Sequence, residues 1–145
     1  MEVTVAKSAG FCFGVKRAID TVYQEIEKGE QVFTLGPIIH NEQVVQELAD
    51  KGVRVIHSLE ELADIKEGTV VIRSHGVSEK VIRQLEKYDI KIVDATCPFV
   101  SKIHRIVQEK YREGYRIVII GSRTHPEVEG INGWCEDLSL IHISE

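Results

Sequence analysis

Short apolar runs rich in valine and isoleucine alternate with longer amphipathic segments along this chain. The runs predict strands at residues 3–6, 31–35, 53–56, 69–73, 91–94 and 116–120, since strands buried on both faces of a parallel sheet form continuous apolar segments. Between them, apolar residues three and four positions apart predict helices, with one further turn near residues 58–62. The alternation predicts an α/β fold with mostly parallel sheets, flanking helices and right-handed crossovers.

Capping and stop residues mark the ends of these helices. Gly29 ends the first helix, Asn41 begins the second, and Ser78 can cap the third. A short fifth helix begins near Pro126, because proline fits the first helical turn. The fourth helix has a predicted apolar stripe of Val100, Ile103, Val107 and Tyr111.

Composition narrows the class of protein. The 145 residues, 43% hydrophobic and 28% charged, suit one ordinary domain, or one lobe and part of another. A net charge of −5 gives no reason to expect a nucleic-acid partner. The apolar run at residues 117–120 is too short to cross a bilayer, and no signal peptide is evident. Three cysteines, an odd number, fit reduced thiols or metal ligands. We therefore expect a cytoplasmic protein with no membrane partner.

Five reactive side chains occupy equivalent positions in this pattern. Cys12, His40, His75, Cys97 and His125 each follow an apolar run and precede, or begin, a helical segment. In an open parallel sheet these positions lie at the carboxyl ends of the strands, where ligands bind. The pattern predicts a metal or cluster site beside an anion-binding pocket.

Two of the cysteines have surroundings that favour a thiolate. Cys12 lies between two glycines and Cys97 directly precedes Pro98, so each is expected at a helix amino terminus. The alternative is a small buried side chain, which we favour for Cys135. The chain lacks the paired spacing of structural zinc sites. An iron–sulfur cluster accepts widely separated cysteines, and three would leave one iron free for a substrate.

The histidines predict the anion pocket. His40, His75 and His125 are flanked by small or turn-forming residues, and imidazoles backed by helix amino termini suit a phosphate or diphosphate. Glu127 is a candidate proton donor, because a neighbouring anion would raise its pKa; alternatively, it only stabilises a helix amino terminus. We expect His104 to be a packing residue.

The motifs around these residues, in this order and spacing, resemble the LytB family, the 4-hydroxy-3-methylbut-2-enyl diphosphate reductases. The matching segments are Gly10-Phe11-Cys12-Phe13-Gly14-Val15-Lys16-Arg17-Ala18, Leu35-Gly36-Pro37-Ile38-Ile39-His40-Asn41, Arg73-Ser74-His75-Gly76, Asp94-Ala95-Thr96-Cys97-Pro98 and His125-Pro126-Glu127-Val128-Glu129-Gly130. The resemblance implies an iron–sulfur reductase of the non-mevalonate isoprenoid pathway. Such an enzyme removes an allylic hydroxyl to give isopentenyl and dimethylallyl diphosphates, and three α/β lobes surround its cavity.

The resemblance also implies a role for each matching residue. Cys12 and Cys97 would be two of the three ligands of a [4Fe-4S] cluster. His40, His75 and His125 would hold the allylic diphosphate substrate, and Glu127 would deliver protons as the hydroxyl leaves as water. Ferredoxin or flavodoxin would donate the electrons.

The resemblance covers the first part of the family pattern. The family's third cluster cysteine and its Ser-x-Asn substrate motif lie beyond residue 145, so we expect a fragment that is inactive alone. We predict an N-terminal strand and first cluster-ligand loop at 1–13, the first lobe at 14–96, the start of the second at 97–136 and a non-matching tail at 137–145. Two alternatives are a non-catalytic diphosphate-binding module and a thiol hydrolase with Cys97 as nucleophile and His125 as base.

Overall fold

The computed structural model describes residues 2–65 and 67–142. Its α-helices are α1 (Phe13–Glu27), α2 (Glu42–Asp50), α3 (Glu79–Leu85), α4 (Pro98–Arg112) and α5 (Pro126–Asn132). Its strands are β1 (Val32–Leu35), β2 (Arg54–Ile56), β3 (Thr69–Ile72), β4 (Lys91–Asp94), β5 (Val118–Ile120) and β6 (Leu140–His142), and a 3₁₀ helix spans Glu60–Asp64. Asn41 and Ser78 cap α2 and α3 as predicted, since their side chains accept hydrogen bonds from the backbone N–H groups of Val44 and Val81.

Four parallel strands form the main sheet, in the order β2-β1-β3-β4. Leu35, Ile72 and Asp94 are in register, so β1, β3 and β4 end side by side. The chain passes from β1 to β2 on one side and places β3 on the other. The point between β1 and β3 is therefore a topological switch point, where open α/β sheets bind ligands. The predicted α/β class is confirmed.

The sheet is buried on both faces. Alternate residues of β3 illustrate this, because Val71 packs into one core and Val70 and Ile72 into the other. The first core includes Ala18 and Val22 of α1. The resulting three layers account for the apolar strand sequences and hold the carboxyl ends of the strands in fixed positions.

A second, two-stranded parallel sheet pairs β5 with β6. Its strands are linked through α5, and β6 lies at residues where the sequence predicted no element. Because β5 does not join the first sheet, we propose that a lobe boundary lies near residue 97.

Two predictions are wrong. Residues 3–6 form no strand, and Val3 and Val5 are 74% and 75% exposed, because no strand of the described chain pairs with this segment. In α4, the predicted inward residue Ile103 is 41% exposed. His104 is buried in its place, since it lies one turn after Val100 and packs on the ring of Trp134.

In the described ranges, no helix combines the length and apolar character that crossing a membrane requires.

Candidate active site

Three loops lie side by side at the carboxyl edge of the main sheet, following β1, β3 and β4. The backbone N–H of Ser74 donates to the carbonyl oxygen of Ile38 at 3.2 Å, and the N–H of Cys97 donates to that of Ser74 at 2.9 Å. Each loop is therefore hydrogen-bonded to the next beyond the ends of the strands. These hydrogen bonds hold the backbones of the three loops together at this edge of the sheet.

The three predicted histidines come together above these loops. The ring centroids of His40 and His75 are 4.5 Å apart, and His125 lies 5.8 Å from His40 and 6.0 Å from His75. His40 follows β1 and His75 follows β3, so this pair flanks the switch point. His125 approaches from the amino terminus of α5. Three separate segments thus form one imidazole cluster.

His75 is neutral at physiological pH. Burial, together with the charges of His40, Arg73 and His125, lowers the pKa of His75 to about 4. Its Nδ1 is buried and has no hydrogen-bond partner in the described part of the chain. An imidazole in this state can hydrogen-bond an anion, and the anion's charge would raise its pKa.

The position of His125 is set by a hydrogen bond to its own helix. The backbone N–H of Glu127 donates to Nδ1 of His125 at 3.2 Å. Because Nδ1 accepts, neutral His125 carries its proton on Nε2, which is then free to donate to a ligand. The same turn places Glu127 two residues away, in the first turn of α5.

Two glycines seat α5 against the loop that carries His75. A Cβ at Gly130 would lie 3.5 Å from the carbonyl oxygen of His75, and a Cβ at Gly133 would overlap the side chain of Ser78. A Cβ at Gly130 would be in ordinary van der Waals contact, whereas a side chain at Gly133 would push α5 away from the loop. The absence of a side chain at Gly133 therefore lets His125 reach the other two imidazoles.

The structure also links the segments that carry the two predicted cluster cysteines. Cys12 and Cys97 are the N-cap residues of α1 and α4, and neither side chain makes a capping hydrogen bond. A Cβ at Gly14 would overlap Sγ of Cys97 and lie 2.9 Å from its Cβ. The Cys97 sulfur thus packs on the first turn of α1, two residues after Cys12. Both sulfurs lie at helix amino termini.

The three cysteines differ in their exposure to solvent. Within residues 2–65 and 67–142, no group of three or more His, Cys, Asp and Glu side chains is arranged to hold a metal ion. Cys12 is exposed and Cys97 is partly buried, and both thiols are free. Cys135 is fully buried, and its burial raises the pKa of its thiol, which confirms it as a core residue.

Arg73 is a site residue that the sequence reasoning did not single out. Its Nη1 lies 2.8 Å from the position of a Cβ at Gly36, and its Nε is buried without a partner in the described ranges. Burial lowers the pKa of Arg73 and the charge of Glu129 opposes the shift, but a guanidinium stays charged in proteins. The sequence does contain a sign of this role, because Arg73 is a charged residue directly after the buried strand β3.

His104 is the packing residue that the sequence predicted. Its ring stacks on that of Trp134 with centroids 5.4 Å apart, and burial lowers the pKa of His104 to about 4. The indole Nε1 of Trp134 donates to the carbonyl oxygen of Val77 at 3.0 Å. This contact joins α4, α5 and the His75 loop beneath the imidazole cluster.

The fold and site together define an α/β protein that gathers three imidazoles at the carboxyl edge of its main sheet and packs the Cys97 thiol against the helix that Cys12 caps. The chain belongs to the LytB family, since the family model described as LytB protein matches residues 3–145. That match includes residues 137–145, where we expected the resemblance to end.

Known relatives agree with this assignment. A 4-hydroxy-3-methylbut-2-enyl diphosphate reductase of Thermoanaerobacter sp. (strain X514) is 54% identical over 144 residues, covering 97% of this chain and 50% of that protein. The reductase of Clostridioides difficile (strain 630) is 45% identical over 142 residues, with the same coverage. The chain therefore spans about half the length of the curated relatives it matches.

Two solved structures share the fold. One is (E)-4-hydroxy-3-methyl-but-2-enyl diphosphate reductase, the terminal enzyme of the non-mevalonate pathway, with a TM-score of 0.79 and 40% identity over 99% of this chain and 50% of that one. The other is the E-1-hydroxy-2-methyl-but-2-enyl-4-diphosphate reductase of Plasmodium falciparum, with a TM-score of 0.85 and 33% identity over 96% and 43%.

Proposed function

We propose that this chain carries the diphosphate-binding part, the proton donor and two of the three cluster ligands of a 4-hydroxy-3-methylbut-2-enyl diphosphate reductase. The observation that carries the proposal is the imidazole cluster of His40, His75 and His125, with ring centroids 4.5 to 6.0 Å apart at the switch point. The relatives supply the identity of the reaction.

In this proposal the imidazoles bind the diphosphate of the substrate. His125 donates from Nε2, since its Nδ1 is already an acceptor. His75, neutral when the pocket is empty, takes up a proton as the anion binds, because a neighbouring negative charge favours the imidazolium. Arg73 adds a permanent positive charge beside His75. Together these groups hold the anionic end of the substrate and leave its allylic end for the chemistry.

Glu127 is the proposed proton donor to the departing hydroxyl. It follows the ligand-binding His125 by two residues, and its backbone N–H is hydrogen-bonded to that imidazole. Binding of the diphosphate at His125 would therefore place the anion beside the first turn of α5, on which Glu127 lies. Such positioning is what general acid catalysis requires.

Cys12 and Cys97 would hold two irons of a [4Fe-4S] cluster, with the third cysteine outside this chain. When bound, the cluster supplies electrons and an open iron that acts as a Lewis acid toward the hydroxyl. The helix amino termini behind both sulfurs would stabilise the anionic ligands. We propose ferredoxin or flavodoxin as the electron donor and the cytoplasm as the location.

Binding of inorganic pyrophosphate to this chain tests the anion site. Titration calorimetry with the unmodified chain should detect binding near neutral pH, and NMR should show shifts of the imidazole resonances of His40, His75 and His125. His75→Ala should weaken binding by about tenfold, or about 1.4 kcal/mol. His57→Ala is the matched control, because His57 is exposed and its loop follows β2. Equal affinity in the two variants would contradict the proposal.

The isolated chain should bind the anion without catalysing the reaction. Replacing both Cys12 and Cys97 with serine should leave pyrophosphate binding unchanged, as expected of a diphosphate-binding module. After anaerobic reconstitution with iron and sulfide, the chain should not turn over substrate with a strong reductant; robust turnover would refute the predicted inactivity. The thiol-hydrolase alternative stays a prediction with its own test, because alkylation of Cys97 should then abolish activity in metal-free protein.

A further inference from the structure

Arg17 joins α1 to the loop that carries Cys97. Its Nη1 donates to the carbonyl oxygen of Thr96 at 3.0 Å, and its Nη2 lies 3.4 Å from the carbonyl oxygen of Asp94 as a weaker donor. Residues 79 positions apart in sequence are thereby held together. In the described ranges, Arg17 forms no ion pair with a carboxylate, so its guanidinium is directed at backbone oxygens.

The peptide group between Thr96 and Cys97 is held on both sides. Its carbonyl oxygen accepts from Arg17, and its N–H, which belongs to Cys97, donates to the carbonyl oxygen of Ser74 at 2.9 Å. One residue earlier, the N–H of Thr96 donates to a carboxylate oxygen of Asp94 at 2.8 Å. The orientation of this peptide plane determines where the Cα–Cβ bond of Cys97 points.

Arg17 lies on the same helix as Cys12, just over one turn further along. The backbone N–H of Lys16 donates to the carbonyl oxygen of Cys12 at 2.9 Å, so the first turn of α1 is intact between them. A rigid turn therefore connects Cys12 to the guanidinium that holds the Cys97 peptide. Lysine could reproduce this contact only in part, since its ammonium is a point charge without the planar fork with which arginine donates to two carbonyl oxygens.

We propose that Arg17 is a positioning residue that holds the Cys97 thiol in register with Cys12 before any metal is bound. The inference rests on the proposed function only in treating these two cysteines as partners in one site. It predicts that, without Arg17, the distance between the two sulfurs varies over a wider range. The reactivity of each thiol toward a monofunctional reagent should stay the same. The packing of Cys97 on Gly14 then sets the closest approach, and Arg17 sets the orientation.

Thiol crosslinking of the metal-free, reduced chain tests this role. Dibromobimane should join Cys12 to Cys97, identified by mass spectrometry of the linked peptides. Arg17→Met should lower the crosslinking rate about tenfold, and Arg17→Lys should give an intermediate rate. Lys16→Met is the matched control, because it removes an exposed neighbouring cation that makes no side-chain hydrogen bond in the described ranges, and its rate should equal that of the parent.

A second readout separates positioning from a merely structural role. Alkylation of each thiol by a monofunctional reagent should change less than twofold in Arg17→Met, since only the relation between the thiols is altered. If Arg17→Met does not fold, as judged by Trp134 fluorescence, Arg17→Gln takes its place with the same expected fall in crosslinking. Parent-like crosslinking in the folded variant would overturn the role of Arg17. Absence of crosslinking in the parent itself would instead contradict the convergence of the cysteines on which the proposed function depends.

Discussion

Replacing Gly14 with alanine would test the contact between the two cysteine-bearing segments. Gly14 is the second residue of α1 and its φ lies outside the left-handed region, so alanine meets no backbone strain there. Away from its neighbours, the change would stabilise a helix by up to about 1 kcal/mol. Any net destabilisation must therefore come from the new methyl group.

The structure indicates how large this destabilisation is. The added Cβ would overlap Sγ of Cys97 and lie 2.9 Å from its Cβ, well inside the separation of about 3.5 to 4.0 Å at which carbon atoms attract. Overpacking of this kind costs about 1 to 3 kcal/mol. After the gain in helix propensity, Gly14→Ala should lower the free energy of unfolding by about 0 to 2 kcal/mol.

A double-mutant cycle isolates the contact from these opposing effects. Cys97→Ala removes the overlapping sulfur, so Gly14→Ala should be better tolerated in that background, with a coupling energy of about 1 to 2 kcal/mol. Urea unfolding, followed by the fluorescence of the single tryptophan, Trp134, provides the free energies. Cys12→Ala is the matched control, since the new methyl group is not directed at that thiol, and its cycle should be additive. Additivity within about 0.5 kcal/mol in the Cys97 cycle would refute the packing geometry.

Three further predictions concern stability and the anion site. The pKa of His104 is lowered to about 4, so between pH 6.5 and 4 the unfolded chain takes up a proton that the native chain does not. The free energy of unfolding should therefore decrease as the pH is lowered through this window, by up to about 3 kcal/mol. In urea unfolding, the free energy of His104→Gln should depend less steeply on pH than that of the parent, and an equal dependence would contradict the prediction. Gly36→Ala should lower the free energy of unfolding by about 1 to 2 kcal/mol, because its φ is +72°, and should weaken pyrophosphate binding by displacing Arg73. Gly29→Ala is the control: its φ is +79° but a Cβ there would meet open space. Titration calorimetry should therefore find parent-like pyrophosphate affinity in Gly29→Ala and weaker binding in Gly36→Ala. Glu25 is 4% exposed, and hydrogen bonds from Lys28 and Lys91 lower the pKa of its carboxyl group. These two ion pairs therefore stabilise the fold fully above about pH 4.5, and their contribution is lost as the pH falls through the pKa of Glu25 in the folded chain. Glu25→Gln should destabilise the chain by about 1 to 3 kcal/mol at pH 7 in urea unfolding, with the difference closing in acid; a constant difference would argue against the ion pairs.

The sequence was a good guide where local patterns decide the structure. Five of the six predicted strands form within two residues of the predicted bounds, and Asn41 and Ser78 cap their helices. Convergence of His40 and His75 also followed from the pattern, because the carboxyl ends of neighbouring parallel strands share one edge of a sheet. For these residues, knowing the element that precedes a side chain is enough to locate it.

The remainder depends on contacts between distant segments. Residues 3–6 have the composition of a strand but no partner in the described chain, and a strand needs a partner for its hydrogen bonds. The choice between Ile103 and His104 for the buried face of α4 depends on Trp134, thirty residues further on. The roles of Gly14 and Arg17 arise from the Cys97 loop, and no property of the first helix alone reveals them.

The packing of α5 has a consequence for the geometry of the proposed anion site. His125 reaches the other imidazoles because no side chain at Gly133 holds its helix away from Ser78, so a residue outside the imidazole cluster sets the distances between the three rings. A methyl group added at Gly133 would overlap the side chain of Ser78 and shift α5, so His125, at the amino terminus of that helix, would move relative to His40 and His75. The spacing of the three imidazoles is thus determined partly by a residue that carries no side chain.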